Sequence, residues 1–521
     1  MATPSLAMIP SAYADSKVYS VLPNNGDGDF TFNRDSSATR VGQNGLIQTV
    51  GYFGNQLITN GSFATDSDWN KNAGWTISGG TANCDGTANN AIAQNFSLPT
   101  GTLRIKFDIT ARTQGAVNLW INKPAFTQLL SVDAVGSYEV DVVTTSGANN
   151  IYFYSASNFS GSIDNVSVQQ ILGDQPRLNY DISNGVVQSC PSLLLEPAST
   201  NLVTYSTPIN SSPYSYSGGG VGVAPTYTAN AGISPDGTST AVKLFFDING
   251  GTTSSDLSQF AYTGSALTGD YTSSFYLKSS DSNSYTVTLL NTNGITSEAV
   301  ITPEWQRFTL YNGGGTTSTN LIRIRLRGNE NTSNTASLLA WGFQLENQAY
   351  ATSLIPTAGS SQTRAGETCN DAGTSSTFNS TEGVLYLDFA SLNNAGNYRL
   401  ISLSDGTTSN RLFIGFRLDT GYLYYFVIVA GSTQASNITT ITATDFTKVA
   451  VKWKANDFAL WVDGVEISSD TSGISFPADT LNTIQMNEGD GAGFEFYGKV
   501  KDLRVYNEAL TDAQLQTLTT L

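Results

Sequence analysis

The sequence predicts an all-β chain: several β-sandwiches in tandem, closed by one short helix. Three observations lead there. Apolar residues alternate with period two along most of the chain. In TLRIKFDIT, Leu103, Ile105, Phe107 and Ile109 share one face, and Arg104, Lys106 and Asp108 the other. Charged residues make up only 13% of the chain while aromatics reach 11%, a balance that suits packed strands and many turns rather than disorder. Helical periodicity is confined to the end, EALTDAQLQTLTTL, where Leu510, Leu515 and Leu518 fall on one stripe and Thr511 with Gln514 spells a capping box. At 521 residues the chain exceeds one core, and length alone suggests roughly three to four domains.

The pattern divides the chain in order. Residues 1–56 and 172–200 read as a base or attachment module in two pieces. Within it, Leu193, Leu194 and Leu195 form an apolar triplet stopped by Pro197, which suits a short strand buried on both faces. Between the pieces, residues 57–171 read as a self-contained sandwich. Residues 201–366 carry SSFYLKS, WQRFTLY and LIRIRLR as strands of a second one. Residues 367–521 carry GVLYLDF, LFIGFRL, VAVKWK and FALWVDGVEI, with Asp463-Gly464 as a type I′ hairpin signal. One motif occurs twice: SS-x-TR-x-G at Ser36–Gly42 and again at Ser360–Gly366. Both copies are expected to be short ordered connectors at seams, Arg40 and Arg364 each tying its copy to a neighbour; coincidence in a Ser-rich chain is the alternative.

Composition excludes several function classes. With 25 basic and 42 acidic side chains, net −17, the surface repels phosphate backbones, so no nucleic-acid partner is expected. No apolar run approaches the ~18 residues that read as a membrane span, so no membrane partner is expected. MATPSLAMIPSAYADSK lacks a charged start and an apolar stretch, so no signal peptide is expected. The chain has no histidine and three cysteines, Cys84, Cys190 and Cys369. That rules out Ser-His-Asp and Cys-His catalysis and argues against zinc; reduced, structural thiols are expected. Carboxylates alone remain for catalysis. Glu139-Val-Asp141 approaches the E-x-D-x-x-E of sandwich glycosidases but ends in Thr144, so the protein is expected not to be an enzyme.

Binding leaves better traces. In AVNLWINK, Val117, Leu119 and Ile121 form the buried face, so Trp120 points outward with Asn118 and Asn122. In NNIYFYSAS, Ile151 and Phe153 point in, so Tyr152 and Tyr154 point out. Rings flanked by amides suit a sugar, whose C–H face stacks while its hydroxyls hydrogen-bond. The same rings equally suit packing against a neighbouring domain or subunit. In GYLYYFVIVA both faces are apolar, which predicts burial between subunits, with ligand contact as the alternative.

Several stretches resemble known families. FALWVDGVEI and FYGKVKDLRVYNEALTDAQLQTL resemble the hairpin and closing strand-plus-helix of laminin-G and concanavalin A-like lectin domains. The stretch from NGSF to IDNVSV resembles carbohydrate-binding-module jelly rolls. FTFNRDSSATRVGQNGLI, PRLNYD, CPSLLLEPASTNLVTYS and AWGFQLENQAYATSLIPTAGSSQTRAGE resemble proteins of tailed-bacteriophage virions. In those, the GLI and PRLDY segments run nearly together, so 57–171 resembles an insertion. The resemblances imply a virion-surface protein, a head or tail fibre or decoration, made in the host cytoplasm. They imply self-association, a homotrimer above all, contact with other virion proteins, and attachment to host-cell glycans. They imply no required cofactor beyond a possible structural Ca2+ near Asn60 and Asp164. A purely architectural virion part and a glycan depolymerase are the alternatives.

Overall fold

The computed structural model describes residues 2–520 other than 88, 124, 146, 148, 184, 292–295, 315–318, 331, 332, 394–397, 418, 420 and 492. The chain forms two compact units. One comprises Met1–Val50, Gly173–Ala198 and Ala365–Leu521, the other Gly51–Leu172 and Ser199–Arg364. The fold is all-β: strands fill both units, and among the described residues one helix, Asp512–Thr520, closes the chain. No described helix is long and apolar enough to cross a membrane.

The first unit is a sandwich of two large sheets. Its larger sheet runs Arg177–Asn179, Ser192–Leu195, Gly498–Tyr506, Glu382–Ser391, Thr447–Lys454, Phe458–Val462, Val465–Asp470, and Leu6–Met8 also pairs with Gly498–Tyr506. The facing sheet runs Ser432–Thr440, Tyr422–Val429, Arg411–Arg417, Tyr398–Ser404, Thr483–Gln485. Leu193–Leu195 finds the two-sided burial its sequence demands, flanked by Arg177–Asn179 and Gly498–Tyr506. One core joins Leu6, Met8, Phe30, Phe32, Leu193 and Leu195 to Leu387, Phe416, Tyr425 and Trp453. The early segments therefore help to complete the sandwich built by the C-terminal block. Asp463 and Gly464 take φ of 45° and 83° in the hairpin joining Val462 to Val465. The helix starts on the expected box: Thr511 N–H donates to Gln514 Oε1 at 2.9 Å, and Gln514 N–H to Thr511 Oγ1 at 3.4 Å. Leu510, Leu515 and Leu518 bury its stripe beside Trp461 and Tyr506.

A buried ion cluster sews the three segments of this unit together. Arg177 donates from Nε to Glu367 Oε1 at 2.8 Å and from Nη1 to Glu196 Oε2 at 2.7 Å, and Arg34 donates to Glu367 Oε1 at 2.9 Å. All four side chains lie between 0 and 4% exposed, so each charge depends on its partners to offset the cost of leaving water. The two motif copies meet beside this cluster: Ala365 N–H donates to Ser36 Oγ at 3.0 Å. In the second copy Arg364 donates to Thr352 Oγ1 and Ser353 Oγ at 3.1 Å, partners within its own unit. In the first copy Arg40 makes no such hydrogen bond among the described residues and instead lies over the Tyr13 ring.

The second unit holds two separate cores. In the first, strand Gly101–Asn122 shifts register at four places between Lys106 and Ala116. These bulges bend it, so its first half pairs with Gly136–Thr144 and its second with Phe126–Val132. Leu103, Ile105, Phe107, Ile109, Val117, Leu119 and Ile121 all face the core, as alternation predicts. Arg104 corrects that reading. It is only 4% exposed, because the strand opposite supplies Asp141 at 2.8 Å and Glu139 at 2.9 Å. The second core, around Tyr214, Phe260, Phe275 and Phe343, lies between two five-stranded sheets. Both stretches enter and leave on paired strands: Tyr52–Gln56 pairs with Asn150–Gly173, and Ser199 faces Arg364. Closely spaced ends are what a loop insertion needs.

Candidate functional site

The strongest site is an aromatic platform on the outer face of the first sandwich in the second unit. Register puts Trp120 opposite Tyr152, and Asn118 opposite Tyr154. The hairpin return puts Asn122 opposite Phe126. Trp120 and Phe126 stack at 4.7 Å between ring centroids, Phe126 meets Tyr152 edge-on at 5.1 Å, and Tyr152 lies 5.9 Å from Tyr154. The inner sides of these strands are locked into the core by Leu119, Ile121, Ile151 and Phe153. The ring positions are therefore fixed from beneath. Phe126 is 47% exposed, while Trp120, Tyr152 and Tyr154 are half-buried.

Amides run along the end of the platform. Asn122 donates to Asn149 Oδ1 at 3.0 Å; Asn150 donates to Asn95 Oδ1 and to the Tyr152 hydroxyl, both at 2.8 Å. Asn118 Oδ1 is buried and accepts no hydrogen bond among the described residues. The structure thus brings together all five sequence candidates and adds Phe126, Asn95, Asn149 and Asn150. Phe126 carried a usable signal, since a short turn after Asn122 returns the chain along the same edge.

The other candidates fare differently. Glu139 and Asp141 are spent on Arg104, and Glu139 also on Lys106 at 2.8 Å; paired in this way they act as structural anions. Asn60 donates to Thr65 O at 2.6 Å and Ser67 O at 2.9 Å. The segment holding Asp164 lies alongside, since Val166 N–H donates to Gly61 O at 2.8 Å. The Asn60 amide oxygen and Asp164 are hard oxygen donors of the kind calcium takes, while the Thr65 and Ser67 carbonyls are taken by the Asn60 N–H groups and Asn60 Oδ1 accepts from Thr65 N–H at 3.4 Å. Among the described residues, no three acidic, cysteine or histidine side chains cluster as a metal site. All three cysteines are free; Cys84 and Cys369 are buried, but Cys190 is exposed, so the expectation of structural thiols fails there. The second apolar face of Tyr422–Val429 lies outside the core. There Leu400, Phe413 and Tyr424 form a cluster of their own with Tyr398, Phe426 and Ile428 packed against it.

Comparison with known proteins agrees with the C-terminal architecture. Residues 385–516 match the profile of the concanavalin A-like lectin/glucanases superfamily. The chain is thus a multidomain β-sandwich protein with a lectin-type region at its C-terminal end. Among solved structures it is similar to the CBM40 of the Ruminococcus gnavus IT-sialidase bound to alpha2,3 sialyllactose: 17% identity, 27% of this chain, 83% of that one, TM-score 0.24. It is similar to a tandem CBM22 domain from Paenibacillus barcinonensis, at 8% identity over 57% of this chain and 98% of that one, TM-score 0.19. It is also similar to domains LG4-5 of the mouse laminin alpha1 chain, at 11% identity over 58% and 94%, TM-score 0.20. A search of curated proteins gives no match.

Proposed function

We propose that the protein is a non-catalytic, glycan-contacting component of a virion surface, a head or tail fibre or decoration working as a homotrimer, and that the Trp120 face meets host glycans. The observation that carries this reading is the set of four rings on one rigid face, bordered by amides. Stacking rings and neutral hydrogen-bonding groups are what a sugar face requires. The lectin-type match at residues 385–516 supports glycan binding, and the sequence resemblance to virion proteins supports the location. A structural Ca2+ held by Asn60 and Asp164 belongs to the same reading; chelation by EDTA should lower the melting temperature of the purified protein, and an unchanged melt would remove the ion from it.

The direct test is Trp120→Ala, probed against an array of neutral oligosaccharides. Lost stacking of about 0.5–1.5 kcal/mol weakens binding roughly threefold to tenfold, with melting nearly unchanged. A variant that binds normally but melts early assigns the rings to packing and leaves an architectural protein.

A further inference from the structure

The motif copy around Arg40 builds a second site, in the first unit. Strands Ala38–Val41 and Ile47–Val50 form a hairpin with Arg40 opposite Gln48. Its loop is tight: Gly42 N–H donates to Leu46 O at 2.8 Å, and Gly45 turns with a φ of 76°, a conformation glycine adopts without strain. Tyr180 N–H donates to Val41 O at 3.0 Å, and Val41 N–H to Asn179 Oδ1 at 2.9 Å. These bonds hold the hairpin against the segment that follows Leu178. Hairpin and segment frame an open, shallow pocket of about 630 Å³, lined by Tyr13, Arg40, Gln43, Asn44, Gln48 and Tyr180. That is the size of a small-ligand pocket.

Arg40 departs from the pattern set by its neighbours. Arg34 and Arg177, the other arginines of this region, are locked onto Glu367 and Glu196. Arg40 forms no ion pair among the described residues, and its Nε is buried with no acceptor. Its guanidinium lies 5.4 Å over the Tyr13 ring. The carboxylates closest in sequence to the Leu178–Tyr180 wall are engaged elsewhere. Asp174 accepts from Arg34 N–H at 2.8 Å and Asp35 N–H at 2.7 Å, and Asp181 is bound by Lys499. In a chain with 42 acidic side chains, a half-buried guanidinium without one is poised for a carboxylate from outside. A guanidinium fork matches a carboxylate with two parallel hydrogen bonds.

We propose that this pocket binds an acidic saccharide unit, a sugar ring bearing a carboxylate. Arg40 takes the carboxylate, the Tyr180 ring offers an apolar wall to the sugar face, and the amides of Gln43, Asn44 and Gln48 meet its hydroxyls. The pocket lies in a different unit from the Trp120 platform, and the proposal stands without it.

The test is calorimetric titration of the full chain with glucuronate, glucose and acetate. Glucuronate should bind saturably, while glucose and acetate should each be at least tenfold weaker. Arg40→Gln should weaken glucuronate tenfold or more, since a hydrogen-bonded charge pair is lost, with the melting temperature retained. Arg40→Lys should recover part of the loss, having the charge without the fork. If Arg40→Gln folds poorly, Tyr180→Ala supplies the second reading and should also weaken glucuronate. Trp120→Ala should bind glucuronate as the parent does. Absence of saturable glucuronate binding, equal binding by acetate, or full binding by the Arg40→Gln protein overturns the proposal.

Discussion

Two aromatic faces, one in each unit, look alike in sequence and differ in structure. Around Trp120 the rings touch one another, but Trp120, Tyr152 and Tyr154 are only half-buried, Phe126 is 47% exposed, and their rim is made of amides. Around Tyr424 the rings cover one another: Phe413 and Tyr424 are each 6% exposed, and Phe413 stacks on Phe426 at 5.2 Å. Arginines close this second face, Arg411 lying 4.8 Å over Phe413 and Arg417 5.5 Å over Tyr398. A ring under a guanidinium already has its partner; a ring beside amides leaves its own face for a ligand. Outward aromatics alone therefore do not mark a binding site, and the rim decides which role the rings take.

The largest expected effect breaks the covered face. Phe413→Ala should lower unfolding stability by about 3 kcal/mol, the usual cost of emptying a buried aromatic position, read from the urea midpoint. Trp120→Ala should cost much less stability. Equal losses at the two positions would erase the distinction between them. The covered face also presents its edge to solvent, where Tyr422 is 37% exposed, and we propose that this edge contacts other copies of the chain. Tyr422→Lys should then keep the fold and shift the light-scattering mass from trimer toward monomer. A parent protein that is a stable monomer at micromolar concentration would remove self-association from the proposal.

Much of this was legible in the sequence where the signal is local. Alternation located the inner faces of Gly101–Asn122 and Asn150–Gly173, Asp463-Gly464 its hairpin, Leu193–Leu195 its buried strand, and Thr511 with Gln514 the helix start. What escaped depends on which strands pair. Arg104 reads as a solvent-side residue until register sets Asp141 opposite it. The Arg34–Arg177–Glu196–Glu367 cluster joins residues up to 333 positions apart, so no window of sequence contains it. The closing of Phe413 by Arg411 escaped for a different reason: the two are near in sequence, but a strand pattern shows which way a ring points and not what lies over it.

A further expected effect is a pH dependence at Glu495, beside the arginine-rimmed face. Phe494 packs edge-on against Tyr398 at 5.0 Å, and the next residue, Glu495, is half-buried. Burial, and then the charge of Asp490, push the Glu495 carboxyl up to about 7. The folded chain therefore holds this proton more tightly than the unfolded chain, in which a glutamate titrates near ~4.3. Its stabilising contribution is complete below that value and is lost as pH rises to about 7. Glu495→Gln keeps the site neutral throughout, so the melting temperature of the variant minus that of the parent should rise across this window and level off above it. A flat difference would show that the carboxyl titrates as an ordinary surface group. The amides bordering Trp120 do not titrate in this range, so neutral-oligosaccharide binding there should stay constant over the same pH span while the melting difference moves.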